Sequence, residues 1–307
     1  MKSLSSARTR ALVAAHFSAV MFGMTGILGA LIKADALIIT SGRAVFAAVA
    51  LGLVSLGLGG AAVFGSLSAR QKMALGISGV VLAVHWVSFF LAVKVGGVAV
   101  ATLGFAAFPA FIALMDWLVF RERIGPHEWG LLVLVTLGLV LVTPAFDMGD
   151  QGTIGLLWGL LSGFTFALLA MLNRRATRGV NAIQVSFWQN LVVALVLLPF
   201  VSWAGAALTP DGLARSFGAM QVSDWFYLAL LGVLCTGLCH FLFVKSLDHL
   251  DARSVGMIVA LEPVYAIACA WWLFDAKPSG RMLAGACLII LATVLSAQGK
   301  ADESTAG

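Results

Sequence analysis

Ten apolar stretches follow one another along this chain, and the only Asp, Glu, Lys or Arg inside them are Arg43, Asp116 and Glu262. They run at 11–32, 36–59, 73–93, 98–118, 129–144, 152–172, 182–204, 225–244, 254–274 and 282–297. A hydrocarbon core of about 30 Å takes roughly 20 helical residues to cross, so each stretch reads as a membrane span. With 61% of its 307 residues apolar and 11% charged, the chain carries more apolar side chain than one soluble core encloses, and the excess must face lipid. A soluble enzyme, a disordered chain and a disulfide scaffold are excluded together. The four cysteines, Cys235, Cys239, Cys269 and Cys287, lie inside apolar stretches and read as small core residues. The net charge of +5 is spread over short clusters between spans, so nucleic acid is not an expected partner.

Lysine and arginine give an orientation. With the N-terminus cytoplasmic, thirteen fall in inner segments and five in outer loops, and Arg43 completes the nineteen. This asymmetry predicts a multi-pass protein of the plasma (inner) membrane with both termini cytoplasmic. The first stretch, preceded by Lys2, Arg8 and Arg10, is longer than a typical signal-peptide core and is read as an uncleaved span.

Two parts of the chain lie over each other. HWVSFFLAVKVGG with FPAFIALMDWLVF, from His85, answers HFLFVKSLDHLDARS with EPVYAIACAWWLF, from His240. Pro109 falls on Pro263, Trp117 on Trp271 and Phe120 on Phe274, each at a spacing of 154. The expected fold is therefore an all-α integral membrane protein of ten transmembrane helices in two five-helix repeats, 1–149 and 150–300, followed by a cytoplasmic polar tail at 301–307. Five is odd, so the second repeat is inverted relative to the first, an architecture that places a binding site between the halves near the midplane.

LSGFTFALLAMLNRR in the sixth span, LEPVYAIACAWWLF in the ninth and HWVSFFLAVKVGGVAVATLGFAAFPAF across the third and fourth resemble the EamA family of the drug/metabolite transporter superfamily. The resemblance covers nearly the whole chain. It implies ten spans, cytoplasmic termini, a central cavity and, most often, export of amino acids or other small metabolites. Arg43 matches an arginine common in the family's second span, and Glu122 matches its acidic residue after the fourth. In the second half Ala276 stands in that place with Asp275 beside it, a departure from the pattern.

Charge within a bilayer costs at least about 2.5 to 3.5 kcal/mol on insertion scales, so each such group needs a partner, water or a task. Glu262 lies about 12 Å from the inner surface and Arg43 about 10 Å from the outer one, leaving a vertical gap of about 8 Å. Two long side chains or one zwitterionic ligand can bridge it. Glu262 is a candidate proton carrier, and Pro263 is expected to bend the helix and free a carbonyl near Val259. Its alternative is a structural acid paired with Arg43. Arg43, whose planar fork grips carboxylates, is a candidate clamp or an interhelix strut.

His85 and its repeat image His240 are candidate proton relays or hydrogen-bonded core histidines. Gln189 and Asn190 can hold a polar ligand or join helices. Trp86, beside His85, and Trp188, beside Gln189, can line a pocket or simply pack. Gly23, Gly26 and Gly29 form a stripe along which another helix can approach closely. No nucleophile motif, metal cluster or P-loop stands in the sequence, so no cofactor, metal or enzymatic activity is expected. The expected function is secondary active export of a small polar metabolite, an amino acid or relative, by alternating access, with H+ the candidate coupling ion. Import or exchange of nucleobases, drugs or other organics, or a non-transport membrane binding role, is the alternative, and oligomeric state is left open.

Overall fold

Lipid offers no partner for backbone N–H and C=O groups, so a segment crossing it pairs them internally, and a helix is the simplest way to do so. A computed structural model of the chain describes residues 2–57, 61–120, 125–143, 149–176, 180–208, 218–239, 242, 246, 250, 258–259 and 261–305. Regular structure among the described residues is entirely helical: α1 (Lys2–Leu31), α2 (Ala36–Gly57), the single turn α3 (Ala61–Phe64), α4 (Ala69–Phe105), α5 (Phe108–Phe120), α6 (Pro126–Val142), α7 (Gln151–Ala176), α8 (Ala182–Leu208), α9 (Val222–Gly232), α10 (Glu262–Phe274) and α11 (Gly280–Thr305). A π-helical segment, Val233–Leu238, continues α9. Among the described residues five helices are long and apolar enough to cross a bilayer, Ala7–Leu31, Ala36–Gly57, Ala69–Phe105, Gln151–Asn173 and Ile183–Val201, and shorter apolar helices accompany them.

Helix packing follows membrane rules, with small residues inward and large ones outward. On α2, Ala44, Ala47 and Ala48 are buried while Val45, Val49, Leu53 and Leu56 are exposed. The largest buried cluster joins Ile27 and Leu28 of α1, Ile38 and Ile39 of α2, Phe89, Phe90 and Val93 of α4, Leu228 and Leu231 of α9, and Ala266 and Ala270 of α10. Elements from both parts of the chain therefore share one core. Where helices begin near water, polar groups close their ends: Ser68 and Gln71 cap α4 reciprocally, and Asp224 accepts from the Gln221 N–H at 2.8 Å at the start of α9.

Two expectations about spans need correction. Lys94 to Gly97, read as a loop between the third and fourth spans, is helical except for Gly97, whose φ of 81° and ψ of 167° kink α4 at one residue. Only glycine adopts that conformation without strain, so a single residue does the work of the expected loop. The ninth span is broken and not merely bent at Pro263. Ile258 and Val259 are helical, Leu261 is a turn residue, and a new helix starts at Glu262 with Pro263 in its second position. The proline N has no hydrogen to give, and a helix start is the place where none is needed. A matching break stands in the first half, where Ala106 and Ala107 form a turn and α5 starts at Phe108 with Pro109 second. Both restarted helices are thirteen residues long, and their ends stand 154 apart.

Candidate functional site

Arg43 is carried by α2 on the side that faces α4 and the π segment, and its side chain is 5% exposed. Its Nε–H donates to Thr236 Oγ1 at 2.7 Å. One face of the guanidinium lies 4.0 Å from the centre of the Trp86 ring, and Phe90 stands 5.9 Å from it. A desolvated cation over an indole face is held by the ring quadrupole, which offsets part of the loss of water. No hydrogen bond from Nη1 or Nη2 is found among the described residues.

Glu262 begins α10. It is partly buried, between the exposed and the fully buried residues of the helix. Its carboxylate and the Arg43 guanidinium are within electrostatic reach of each other. They do not form an ion pair: among the described residues the one pair within 4.0 Å is the surface contact of Lys277 with Asp275. Gly23 brings α1 against this spot, because a Cβ there would stand 3.1 Å from both the Glu262 carbonyl and the Ala266 nitrogen. The glycine stripe expected to admit a neighbouring helix thus meets the start of α10 at Gly23, while Gly26 and Gly29 meet Val98 and Phe90 of α4.

His85 is tied into the scaffold. Its Nδ1–H donates to the Ser162 carbonyl at 2.9 Å, and the Ser162 hydroxyl donates to the His85 carbonyl at 3.2 Å, a tautomer assigned from those partners. Phe105 and Phe166 flank the ring at 5.4 and 5.2 Å. This bonding makes His85 a link between α4 and α7. His240 lies outside the described residues, as do Glu122, Arg121 and Arg123. Cys239, which stands 154 residues after His85, bonds reciprocally with Ser18: its thiol reaches the Ser18 carbonyl at 3.5 Å and the Ser18 hydroxyl its carbonyl at 3.2 Å. The contact of Cys239 with Ser18 of α1 thus repeats that of His85 with Ser162 of α7.

Of the other residues singled out, Trp86 joins Arg43 and the rest do not. Trp188 donates from Nε1 to the Val63 carbonyl at 3.2 Å and packs edge-on to Phe187, fastening α8 to the segment after α2. Gln189 donates to Ser78 Oγ at 2.7 Å and Asn173 Oδ1 at 2.8 Å, joining α8 to α4 and α7. Asn190 donates to the Ser186 carbonyl at 2.8 Å, and its Oδ1 is buried without a partner. All four cysteines are free; Cys235 and Cys239 are buried as expected, whereas Cys269 is half-buried and Cys287, expected in the core, is exposed. Among the described residues no cluster of three or more His, Cys, Asp or Glu could hold a metal.

Sequence reading missed Thr236 and the rings of Phe105, Phe108 and Phe166. The signal for Thr236 was present as a lone hydroxyl in the apolar run VLCTGL. The aromatic residues are far apart in sequence, and only the fold assembles them.

Comparison with known proteins adds the family context. The sequence profile of the EamA-like transporter family matches residues 9–143 and again 153–298. An S-adenosylmethionine uptake transporter of Rickettsia felis is 27% identical over 71% of this chain and 69% of its own. The uncharacterized transporter YxxF of Bacillus subtilis is 21% identical over 75% of this chain and 72% of its own. A solved crystal structure superposes with a TM-score of 0.62 at 19% identity, covering 95% of this chain and 97% of that one, and so shares the fold.

Proposed function

The chain belongs to the EamA-like transporter family, and on that footing we propose that it moves a small zwitterionic metabolite of the amino-acid class through an opening bounded by Arg43 and Glu262. The observation that carries this reading is a pair of opposite charges deep in the bundle that feel each other without touching. A buried pair gains most by closing on itself with good geometry, so a pair held apart is suited to a ligand that supplies the complementary charges. The Nη1 and Nη2 edge of Arg43 accepts a carboxylate at two points, and Glu262 accepts an ammonium. Trp86 and Phe90 keep the arginine side apolar and strengthen both contacts.

In this proposal the ten spans form two inverted repeats, 1–149 and 150–300, with both termini on the cytoplasmic side of the plasma membrane. The helix breaks before α5 and α10 support it, since interrupted helices in corresponding places of two halves accompany midplane sites in secondary transporters. Glu262 exchanges a proton as the opening alternates between the two sides, and entering protons drive the metabolite outward. S-adenosylmethionine, which the rickettsial relatives are named for taking up, carries an α-ammonium, a carboxylate, a sulfonium and an aromatic base, and so falls within the class. Those names make inward movement the competing outcome.

The test is transport in proteoliposomes under an imposed pH step, with labelled amino acids and S-adenosylmethionine as the panel. Accumulation of a zwitterion against its gradient, collapsed by a protonophore and missing in Glu262→Gln, is expected. Movement of no panel member above protein-free liposomes, or undiminished pH-driven transport by Glu262→Gln, would contradict the proposal.

A further inference from the structure

The residue that aims Arg43 is supplied by an irregular turn in a different part of the chain. Over Val233–Leu238 the helix continuing α9 is π, and Thr236 donates its hydroxyl proton to the Leu231 carbonyl five residues earlier at 2.9 Å. With that proton committed, the oxygen can only accept from Arg43, and it takes the Nε–H at 2.7 Å. A π turn holds one residue more than an α turn, so a regular helix would rotate the residues beyond it by about 100° and swing Thr236 off the arginine. The insertion is anchored just upstream, where a Cβ on Gly232 would stand 2.7 Å from the Arg43 carbonyl and 2.5 Å from Phe46 Cβ. Only a glycine lets the two backbones meet here, at the residue that bears the guanidinium.

Trp86 occupies a face of the guanidinium and Thr236 its Nε, which leaves the Nη1 and Nη2 edge. We propose that Thr236 is a positioning residue that sets selectivity for a carboxylate: by fixing Nε it presents the Nη1 and Nη2 edge of Arg43 as a two-point seat for that planar group. This rests on Arg43 being the carboxylate clamp of the proposed transport site. A guanidinium free to turn about its last bonds would still attract an anion, but it would lose the matched pair of donors that separates a carboxylate from other groups. The π turn is thereby given a function that plain packing would not require.

The experiment compares uptake of two probe pairs, S-adenosylmethionine with its decarboxylated form and phenylalanine with phenethylamine, by wild type, Thr236→Val and Thr236→Ser at matched expression and thermal stability. Wild type is expected to favour the carboxylate-bearing member of a transported pair by at least about tenfold in kcat/KM, the scale of one hydrogen bond to a charged group. Thr236→Val should bring that ratio close to unity through KM of the carboxylate member alone, and Thr236→Ser should restore it. Equal preference in wild type and Thr236→Val overturns the role of Thr236 while leaving the clamp standing. Absence of a carboxylate preference in wild type overturns the clamp itself, and the role of Thr236 with it.

Discussion

α5 and α10 restart interrupted helices in the same way, with proline second, yet one begins on Phe108 and the other on Glu262. Around the first break Phe105 stacks on Phe108 at 5.3 Å, and Phe166 meets both rings edge-on at 5.3 and 5.1 Å. Around the second lies a carboxylate in reach of Arg43. Each break is pressed by a glycine of a helix from the other part of the chain: Gly163 of α7 against the Phe105 carbonyl, where a Cβ would stand 2.9 Å away, and Gly23 of α1 against the Glu262 carbonyl. The cross-links repeat as well, His85 with Ser162 and Cys239 with Ser18. One backbone device is therefore present twice with different chemistry. Packed rings fill the first break, whereas a partly buried acid stands at the second.

That contrast is breakable by substitution. Glu262→Gln is expected to lower transport by at least about thirtyfold, the low end for removing one member of a buried charge pair, whereas Phe108→Leu in the matching place should leave pH dependence intact; uptake as a function of pH checks both. Arg43→Lys keeps the charge but not the fork, so KM for a carboxylate substrate should rise by about tenfold or more with little change in Vmax, read from initial rates.

Smaller effects sharpen the comparison. Gly163→Ala and Gly23→Ala each force a methyl against backbone, costing about 1–3 kcal/mol of stability; both should lower Tm, and only Gly23→Ala should also change KM, since it alone displaces Glu262. His85→Cys copies into the first half the residue that stands 154 later. It should lose about 1 kcal/mol with the Ser162 hydrogen bond and leave the pH profile of transport unmoved, which separates a link between helices from a proton relay.

Much of this was legible in the sequence. The apolar stretches announced the helices, and the spacing of 154 announced the matching helices α5 and α10 down to their ends. Arg43 and Glu262 stood out because charge is rare in such stretches, and Trp86 because it neighbours His85. Other features were hidden for physical reasons. A one-residue kink at Gly97 has no composition of its own, and it looks like a loop beside Lys94. Pro263 signals an interruption, but a bend and a restart share that signal, and neighbouring helices decide between them. His240 matches His85 by residue type, whereas the contact that repeats the one at His85 is made by Cys239. Thr236 was invisible as a ligand of Arg43 because helical periodicity assumes regular turns, and a π turn changes which residue faces inward.

The central claim is that Arg43 and Glu262 hold the two ends of one zwitterion. It is tested most directly by equilibrium binding to the purified protein of a transported zwitterion beside its amine-only and carboxylate-only analogues, for wild type, Arg43→Gln and Glu262→Gln. The account expects Arg43→Gln to erase only the preference for the carboxylate and Glu262→Gln only the preference for the ammonium. Equal loss of both preferences in either variant, or retention of both, would contradict it.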